Sequence, residues 1–127
     1  MPDQPTAVAR SGAFAALVQA LCAAVLEAPP RPYDPAARGI YQQNRWAALR
    51  AGEDAELVHP DEERLVPVVE LREELLALVG PAAQALGTGD LLAPLREASE
   101  GRRQLEIGRE RGLRAVCADL VERTGIV

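Results

Sequence analysis

The chain has 127 residues, 48% of them hydrophobic but only 3% aromatic, and its 14 basic residues, all Arg, stand against 19 acidic ones for a net charge of −5. This length is typical of a single domain, and the scarcity of aromatic side chains predicts a core of aliphatic residues between close-packed helices. Nucleic acid is excluded as a partner, because the chain lacks the clustered basic residues that phosphate binding requires.

The first predicted helix follows Ser11, which favours the N-cap position, and ends before the proline-rich run that starts at Pro29. Its apolar residues recur at helical spacing: Phe14, Leu17, Val18, Leu21 and Val25. The apolar stretch 13–28 is too short, and too interrupted by Gln19 and Glu27, to span a bilayer, and no basic start followed by an apolar segment marks a signal peptide. We therefore expect a cytoplasmic protein with no membrane partner.

The second predicted helix has Asp34 as its cap, Pro35 at its first position and Gly52 at its end. Its predicted buried side consists of Ile40, Tyr41, Ala48 and Leu49. The run Gln42–Arg45 is polar throughout, so part of it must lie on a half-buried flank of the helix.

Asn44 and Arg45 carry the clearest chemistry of this polar run. They lie four residues before Ala48 and Leu49, respectively, and so stand beside the predicted buried side. An amide and a planar guanidinium held on a packed helix are suited to bind a carboxylate or a phosphate. The alternative is that both side chains only bond to the backbone of a neighbouring loop. The sequence leaves both interpretations open.

Residues 53–67 form a predicted hairpin flap, in which the short strands Glu56–Val58 and Arg64–Val66 flank a turn. Two strands are too few for a stable sheet of their own. His59, the only histidine, is interpreted as a turn residue because no nucleophile lies near it in the sequence. The acidic residues Asp61–Glu63 are expected to be solvated, and no metal site is assigned.

The rest of the chain shows helical periodicity. Helices are predicted from about Val68 to a stop at Gly80-Pro81, briefly onward to Leu86, after a cap at Asp90, between Gly101 and Gly112, and finally up to Gly125. Cys22 and Cys117 lie within apolar helical patterns and are expected to be buried reduced thiols. The predicted fold is therefore mainly α: residues 1–127 form a single all-helical domain of six or seven helices with one short β-hairpin flap.

Five segments in collinear order extend this interpretation. They are PDQPT (Pro2–Thr6), AALVQAL (Ala15–Leu21), QNRWAALRAGEDAELVHP (Gln43–Pro60), VVELREELLALVGPAAQALG (Val68–Gly87) and RRQLEIGRERGLRAVCADLVERTG (Arg102–Gly125). Together they resemble the C-terminal region of the carboxylate-amine ligases, also called the type 2 glutamate–cysteine ligase family. The resemblance implies an ATP-dependent ligase that phosphorylates a substrate carboxylate, glutamate's γ-carboxylate in the named activity. An amino acid amine then attacks the acyl phosphate, with release of ADP and phosphate.

The resemblance also implies what this chain lacks. In the family, carboxylates on an antiparallel sheet in the N-terminal part hold the nucleotide and Mg²⁺ or Mn²⁺. The chain resembles the family from just after the last strand of that catalytic sheet. We therefore expect the isolated chain to have no catalytic residue, no metal site and no cofactor of its own.

The resemblance assigns substrate-binding roles to four residues. Asn44 and Arg45 match an Asn-Arg pair on a helix that faces the catalytic sheet. This implies that Arg45 helps to bind an anionic substrate or phosphate and that Asn44 orients it. Arg103 and Gln104 match a later Arg-Gln pair and are expected to reach the same region.

Two functions remain open at the level of the sequence. The first is the C-terminal helical part of an ATP-dependent carboxylate-amine ligase, inactive as an isolated chain. It is either a truncated gene product or one chain of a split enzyme whose partner is a separate N-terminal sheet domain. The second is a stand-alone helical interaction or scaffold module derived from that enzyme. In the second case an apolar face carrying Phe14, Leu17 or Trp46 would bind a partner or form a homo-oligomer.

Overall fold

The computed structural model describes residues 7–30, 32, 34–62 and 64–124. Over this part the chain forms five α-helices, two 3₁₀ helices and one antiparallel hairpin, which confirms the predicted mainly α class. The elements are α1 (Val8–Glu27), α2 (Pro35–Ala51), a 3₁₀ helix (Gly52–Asp54), β1 (Glu56–Val58), β2 (Leu65–Pro67), α3 (Val68–Ala85), a second 3₁₀ helix (Gly89–Arg96), α4 (Glu100–Arg111) and α5 (Leu113–Arg123). Pro2–Thr6, Glu63 and Gly125, which entered the predictions, lie outside the described residues.

The main hydrophobic core lies between α1, α3 and the 3₁₀ helix Gly89–Arg96. Its α1 residues are all alanines that recur every three or four positions, so they form one stripe against which the other two elements pack closely. The aliphatic core, as we call this cluster, consists of Ala13, Ala16, Ala20, Leu76, Val79, Ala83, Leu92 and Leu95. Phe14 and Leu17 are partly buried against it, so they do not belong to a free partner-binding face.

The start of α1 differs from the prediction. The helix begins at Val8 and its N-cap is Ala7, which makes no side-chain capping bond, while Ser11 lies inside the helix. The reason is Arg10, whose buried side chain lies on the same stripe as Ala13 and holds the first turn in helical form. α1 is also long and apolar enough to cross a membrane by length and composition. Core helices of soluble proteins pass the same test, so this alone does not place α1 in a membrane.

Helix α3 is continuous where the sequence predicts a stop at Gly80-Pro81. It runs through Pro81 to Ala85. A proline inside a helix removes one backbone hydrogen bond and crowds the preceding turn. Here Val79 and Ala83, on either side of Pro81, are both fully buried in the aliphatic core. Packing on both sides of the proline offsets the lost bond and keeps the helix in one piece.

The hairpin has the predicted position and supports α2. Strands β1 and β2 pair with Leu57 opposite Val66, and α2 contacts β1 and the 3₁₀ helix Gly52–Asp54. The predicted N-cap Asp34 accepts a hydrogen bond from the Ala36 amide at 2.8 Å, and Gly52 ends the helix with a positive φ of 59°, as expected for glycine.

The predicted buried side of α2 is wrong. No residue of α2 is buried, and Tyr41, Ala48 and Leu49 are exposed, while Ile40 is only half-buried. The physical reason is that α2 packs on a strand of three residues, which covers only a narrow part of a 17-residue helix.

Helices α4 and α5 form an antiparallel pair joined at Gly112, whose positive φ of 79° permits the sharp turn. The Ser99 hydroxyl caps α4 by accepting a hydrogen bond from the Arg102 amide at 3.2 Å. Two other predictions, for a residue of the 3₁₀ helix Gly89–Arg96 and for the two cysteines of α1 and α5, are wrong. Asp90 lies inside the 3₁₀ helix and is not its cap. Cys22 and Cys117 are exposed free thiols, because their apolar helical patterns are only partly covered by neighbouring elements.

Candidate functional site

The Asn44 side chain joins α2 to the hairpin. Its amide nitrogen donates to the Val58 carbonyl at 2.8 Å, and its amide oxygen accepts from the Val58 backbone N–H at 2.7 Å. The carboxamide therefore takes the place of a peptide group on a third strand. It forms hydrogen bonds with the backbone C=O and N–H of Val58 at the outer edge of β1. For Asn44, the alternative that the sequence left open, bonding to a neighbouring backbone, is what the structure shows.

Arg45, next to Asn44, points away from the hairpin. It is exposed and makes no hydrogen bond or ion pair with any residue that the structure describes. Because Asn44 fixes the helix on β1, Arg45 is held on a positioned backbone with all five guanidinium N–H donors free for an external anion. Its predicted role in substrate binding stays a prediction.

The outward side of α2 also carries aromatic and apolar residues. The guanidinium of Arg50 lies over the Trp46 ring, 5.5 Å from its centroid, within the range of a cation–π contact. Trp46 is 63% exposed and Tyr41 is 60% exposed. The sequence singled out the polar run but gave these neighbours no shared surface, because the apolar members of α2 were assigned to a buried side.

Arg103 is engaged within the α4–α5 pair. Its Nε donates to Asp119 Oδ2 at 3.2 Å and its Nη2 donates to Asp119 Oδ1, so the two groups form a two-pronged ion pair. The hydrogen bond from Arg103, together with its charge, lowers the pKa of the Asp119 carboxyl below its usual value. Asp119 also raises the pKa of Arg103. One edge of the guanidinium is thus occupied, and only the remaining N–H groups face solvent.

The structure does not bring all four predicted site residues together. The groove between α2 and α4 is lined by Leu49 and Arg50 from α2 and by Arg102, Leu105 and Arg109 from α4. Among the described residues, Arg103 instead contacts α5, and Gln104 lines a separate shallow groove between α4 and α5 with Leu113 and Val116. Their predicted approach to the region of Arg45 is therefore not seen within this part of the chain.

His59 organises the turn of the flap. Its ring is buried, with Nε2 2.9 Å from Glu74 Oε2, and its Nδ1 accepts from the backbone N–H groups of Asp61 and Glu62 at 3.2 Å. Because Nδ1 is an acceptor, Nε2 carries the proton and donates to Glu74. The interpretation of His59 as a turn residue is consistent with these bonds.

A group of charges centred on the buried side chains of Arg10 and Glu100 was missed by sequence reasoning. The polar junction, as we call it, consists of Arg10 of α1, Glu97, Glu100 of α4 and Arg123 of α5. Arg10 Nη2 donates to the Ala98 carbonyl at 2.9 Å, and Arg123 Nη2 donates to Glu100 Oε1 at 3.0 Å. The available signal was the position of Arg10, which lies three residues before Ala13 on the buried stripe of an apolar helix.

The donor set of the described residues does not fit a Mg²⁺ or Mn²⁺ site. Such an ion needs several carboxylate or carbonyl oxygens around one point. Over the described ranges, no group of three or more His, Cys, Asp or Glu side chains could hold a metal ion. In the acidic turn of the flap, Glu62 instead forms an ion pair with Arg64, which lowers the pKa of Glu62.

Taken together, the described residues form a helical scaffold with an exposed, arginine-bearing helix and a small flap. The chain belongs to glutamate-cysteine ligase family 2, whose sequence profile matches residues 1–119. This confirms the resemblance on which the predicted site residues depend.

Individual relatives agree with this family. A protein of Rubrobacter xylanophilus that carries the name glutamate–cysteine ligase 2-1 is 36% identical over 127 residues, which are 96% of this chain and 34% of that protein. A second Rubrobacter protein, named 2-3, is 34% identical over 97% of this chain and 34% of its own length. A Bordetella petrii protein named glutamate–cysteine ligase 2 is 40% identical over 76% of this chain and 23% of its own length.

The chain thus spans about a third of the length of the Rubrobacter relatives that it matches. No solved structure matches it.

Proposed function

We propose that the chain is the C-terminal helical part of an ATP-dependent carboxylate-amine ligase of the glutamate–cysteine ligase kind, located in the cytoplasm. In this proposal the residues that bind MgATP and activate the carboxylate lie in the other two thirds of the family's length. The chain contributes one wall of the substrate site and is inactive alone. The observation that carries the proposal is the family match over 1–119 with coverage of only a third of the relatives.

Arg45 is the residue that we propose for substrate binding. It is exposed and unpaired among the described residues, and it stands on a helix that Asn44 anchors to β1. A charged hydrogen bond to a carboxylate or phosphate contributes about 1.5–3 kcal/mol, which corresponds to about a 10- to 150-fold effect on binding. Asn44 is proposed to support this site by holding α2 on β1. Arg103, which Asp119 holds in place, and Gln104 are proposed as further substrate-binding residues at a position separate from Arg45.

Complementation tests this function. The matching third of the Rubrobacter protein named glutamate–cysteine ligase 2-1 is deleted, and ATP-, glutamate- and cysteine-dependent phosphate release is measured with Mg²⁺. We expect release when this chain is supplied in trans and none from this chain alone. As a positive control, the deleted third of the Rubrobacter protein is added back as a separate chain. Phosphate release in this control shows that the remaining two thirds of the protein, the remainder, is folded and can be activated. Phosphate release by this chain alone would contradict the proposal. So would the absence of release when this chain is added to a remainder that its own third activates.

Arg45→Ala sharpens the test. We expect the complemented activity to fall by about tenfold or more in kcat/KM, because an anion contact is lost. Arg114→Ala, which removes an exposed arginine on α5, is the matched control and is expected to leave the activity unchanged. Equal activities of the two variants would contradict the assigned role of Arg45.

A stand-alone interaction module is the second candidate. It is favoured by the many large apolar side chains that are exposed, of which Trp46 and Leu49 on α2 are two. Sedimentation of the pure chain tests this function. Self-association that Trp46→Ala abolishes would favour it, whereas a monomer at all concentrations would count against a homo-oligomeric module.

A further inference from the structure

A groove with apolar walls lies between α1, α3 and the turn of the flap. Its volume is about 890 Å³, within the range of about 300–1,000 Å³ that is usual for small-molecule sites. Helix α1 contributes Leu21 and Val25, and α3 contributes Leu71, Leu75 and Leu78. These residues recur every three or four positions, so each helix presents one apolar stripe to the groove.

The groove is separate from the aliphatic core and from the site proposed for Arg45. Leu21 and Leu75 pack against the aliphatic core and are partly buried, whereas Val25 and Leu78 are 64% and 65% exposed. No described residue of α2 lines the groove. Its apolar walls are therefore open to a ligand and are not used by the proposed function.

One charged group on the wall is held in a fixed orientation. The Glu74 carboxylate lines the groove, and its Oε2 accepts a hydrogen bond at 2.9 Å from Nε2 of the buried His59 ring. The ring is fixed in turn, since Nδ1 accepts from the backbone N–H groups of Asp61 and Glu62. Within the described part of the chain, no group donates to Glu74 Oε1. The Glu74 side chain is 48% exposed, so this oxygen can accept from a ligand.

The charge of the groove selects the kind of ligand. Asp61 and Glu74 are the charged residues among those described that line it, and both are acidic. An ionised carboxylate only accepts hydrogen bonds, so its partner must be a donor. A protonated amine is a donor of opposite charge, and such charge-assisted hydrogen bonds are stronger than neutral ones. An anionic head group would instead be repelled.

We propose that this groove binds a small molecule that has an apolar body and a protonated amine. The amine donates to Glu74, and the apolar body packs along the leucine stripe of α3 and the facing stripe of α1. His59 acts as a positioning residue: it holds the carboxylate in place before binding, so little ordering cost remains. The proposal does not rest on the proposed function, because the groove is formed by this chain alone.

Three probes with the same alkyl chain test the selection by charge. The ¹⁵N-labelled full chain is titrated with octylammonium, octanol or octanoate, each below the concentration at which it forms micelles, and binding is followed by NMR. We expect octylammonium to bind at least tenfold more tightly than octanoate, because only the ammonium forms a charged hydrogen bond with Glu74.

Two side chains that occur once in the sequence serve as reporters. His59 is the only histidine and Trp46 the only tryptophan, so their ring signals need no further assignment. Because His59 Nε2 donates to Glu74, the imidazole signals should shift when an ammonium group binds that carboxylate. The indole signal of Trp46, on α2 and outside the groove, should not move.

Glu74→Gln tests the carboxylate. It keeps an oxygen that can accept from His59 but removes the charge, so we expect octylammonium to bind at least tenfold more weakly and octanol to bind unchanged. Glu73→Gln is the matched control. Glu73 is the exposed neighbour of Glu74, pairs with Arg96 and does not line the groove, so this variant should bind all three probes like the wild type.

Leu78→Ala tests the apolar wall. We expect it to weaken the binding of octylammonium and octanol alike, by about threefold or more, because apolar area is lost from the contact with the alkyl chain. Leu91→Ala removes an exposed leucine of the 3₁₀ helix Gly89–Arg96 that does not line the groove, and should have no effect.

Contrary results would overturn the proposal. Equal affinities for octylammonium and octanoate, or a preference that survives Glu74→Gln, would show that the carboxylate does not select the ligand. Shifts that depend only on the concentration of this chain would assign the groove to a contact between two copies. Shifts spread over the whole chain, or no shift with any probe, would show that the groove is not a site for such molecules. The proposed function would stand in each case, since phosphate release tests it separately.

Discussion

The aliphatic core and the polar junction hold the molecule together in different ways. The aliphatic core joins α1, α3 and the 3₁₀ helix Gly89–Arg96 through buried Ala, Val and Leu side chains. The polar junction joins α1 to α4 and α5 through Arg10, Glu100 and Arg123, and no residue of α4 or α5 among those described belongs to the aliphatic core.

The aliphatic core is stabilised by burial of apolar side chains, whereas the polar junction depends on the position of a few charged groups. Apolar burial is non-directional and grows with the area removed from water. A buried ion pair needs correct geometry to offset the cost of desolvating its charges. The orientation of the α4–α5 pair, which carries Arg103 and Gln104, therefore depends on a few atoms, whereas the α1–α3 contact is spread over many side chains.

The largest effect is expected in the aliphatic core. Leu76→Ala leaves a cavity next to α1 and should lower the free energy of unfolding by about 2–5 kcal/mol, measured by urea denaturation. Leu78→Ala, on the same helix but 65% exposed, is the control and should change it by less than about 0.5 kcal/mol. Similar losses for both variants would mean that α3 is not anchored by this stripe.

The next effect is expected at the polar junction. Glu100→Gln keeps the shape of the side chain but removes the charge that faces Arg10 and Arg123, and should cost about 2 kcal/mol. Hydrogen exchange should accelerate in α4 and α5 and not in α3. Glu73→Gln, which weakens an exposed pair with Arg96, should cost less than about 0.5 kcal/mol. Uniform acceleration over the whole chain would contradict a separate role for the junction.

Helix α2 can be compared with the aliphatic core and the polar junction, because hydrogen bonds from Asn44 hold it on β1. Asn44→Ala removes both hydrogen bonds to Val58 and should lower the free energy of unfolding by about 1–2 kcal/mol. The Val58 amide should then exchange faster with solvent. Gln43→Ala, exposed on the same helix, serves as the control. Unchanged exchange at Val58 would show that α2 is held by other means.

The smallest effect is expected from pH at the Arg103–Asp119 pair. The pKa of Asp119 is lowered in the folded state by the hydrogen bond from Arg103, so the folded state binds this proton less readily than the unfolded chain. Its contribution is present above the ordinary aspartate pKa of about 4 and is lost as the pH falls through the lowered value.

The comparison of wild type with Asp119→Asn measures this contribution. Unfolding is followed in urea from pH 6 to pH 2. We expect the wild type to be the more stable protein near pH 6 and the two curves to converge at the acidic end. Asp90→Asn, at an exposed site on the 3₁₀ helix, serves as the control for the loss of one carboxylate. A constant difference between wild type and Asp119→Asn would refute the pH effect.

Local signals in the sequence predicted much of the fold. The Asp34 cap, Pro35 and Gly52 set both ends of α2, and the turn residues after Val58 set the hairpin, because capping and turn formation depend on neighbouring residues only. The family could also be assigned from the order of its motifs. Pro81 misled the prediction, since its local preference for ending a helix is weaker than the packing on both sides of it.

Burial and partnership were decided by the tertiary structure. A helical period shows that α2 has an apolar side, but not whether an element large enough to cover it exists. Here α2 contacts only two elements of three residues each, β1 and the 3₁₀ helix Gly52–Asp54, among the described elements with which it makes extended contact. For Asn44, Arg10 and Asp119, the partners are Val58, Ala98 and Arg103, respectively, which lie 14, 88 and 16 residues away in the sequence. Amino-acid order determined the ends of α2 and the turn of the hairpin, because capping and turn formation depend on neighbouring residues, whereas the start of α1 and the passage of α3 through Pro81 depended on tertiary contacts. Which faces of the helices are covered depends on contacts between distant residues, and only the folded arrangement fixes those.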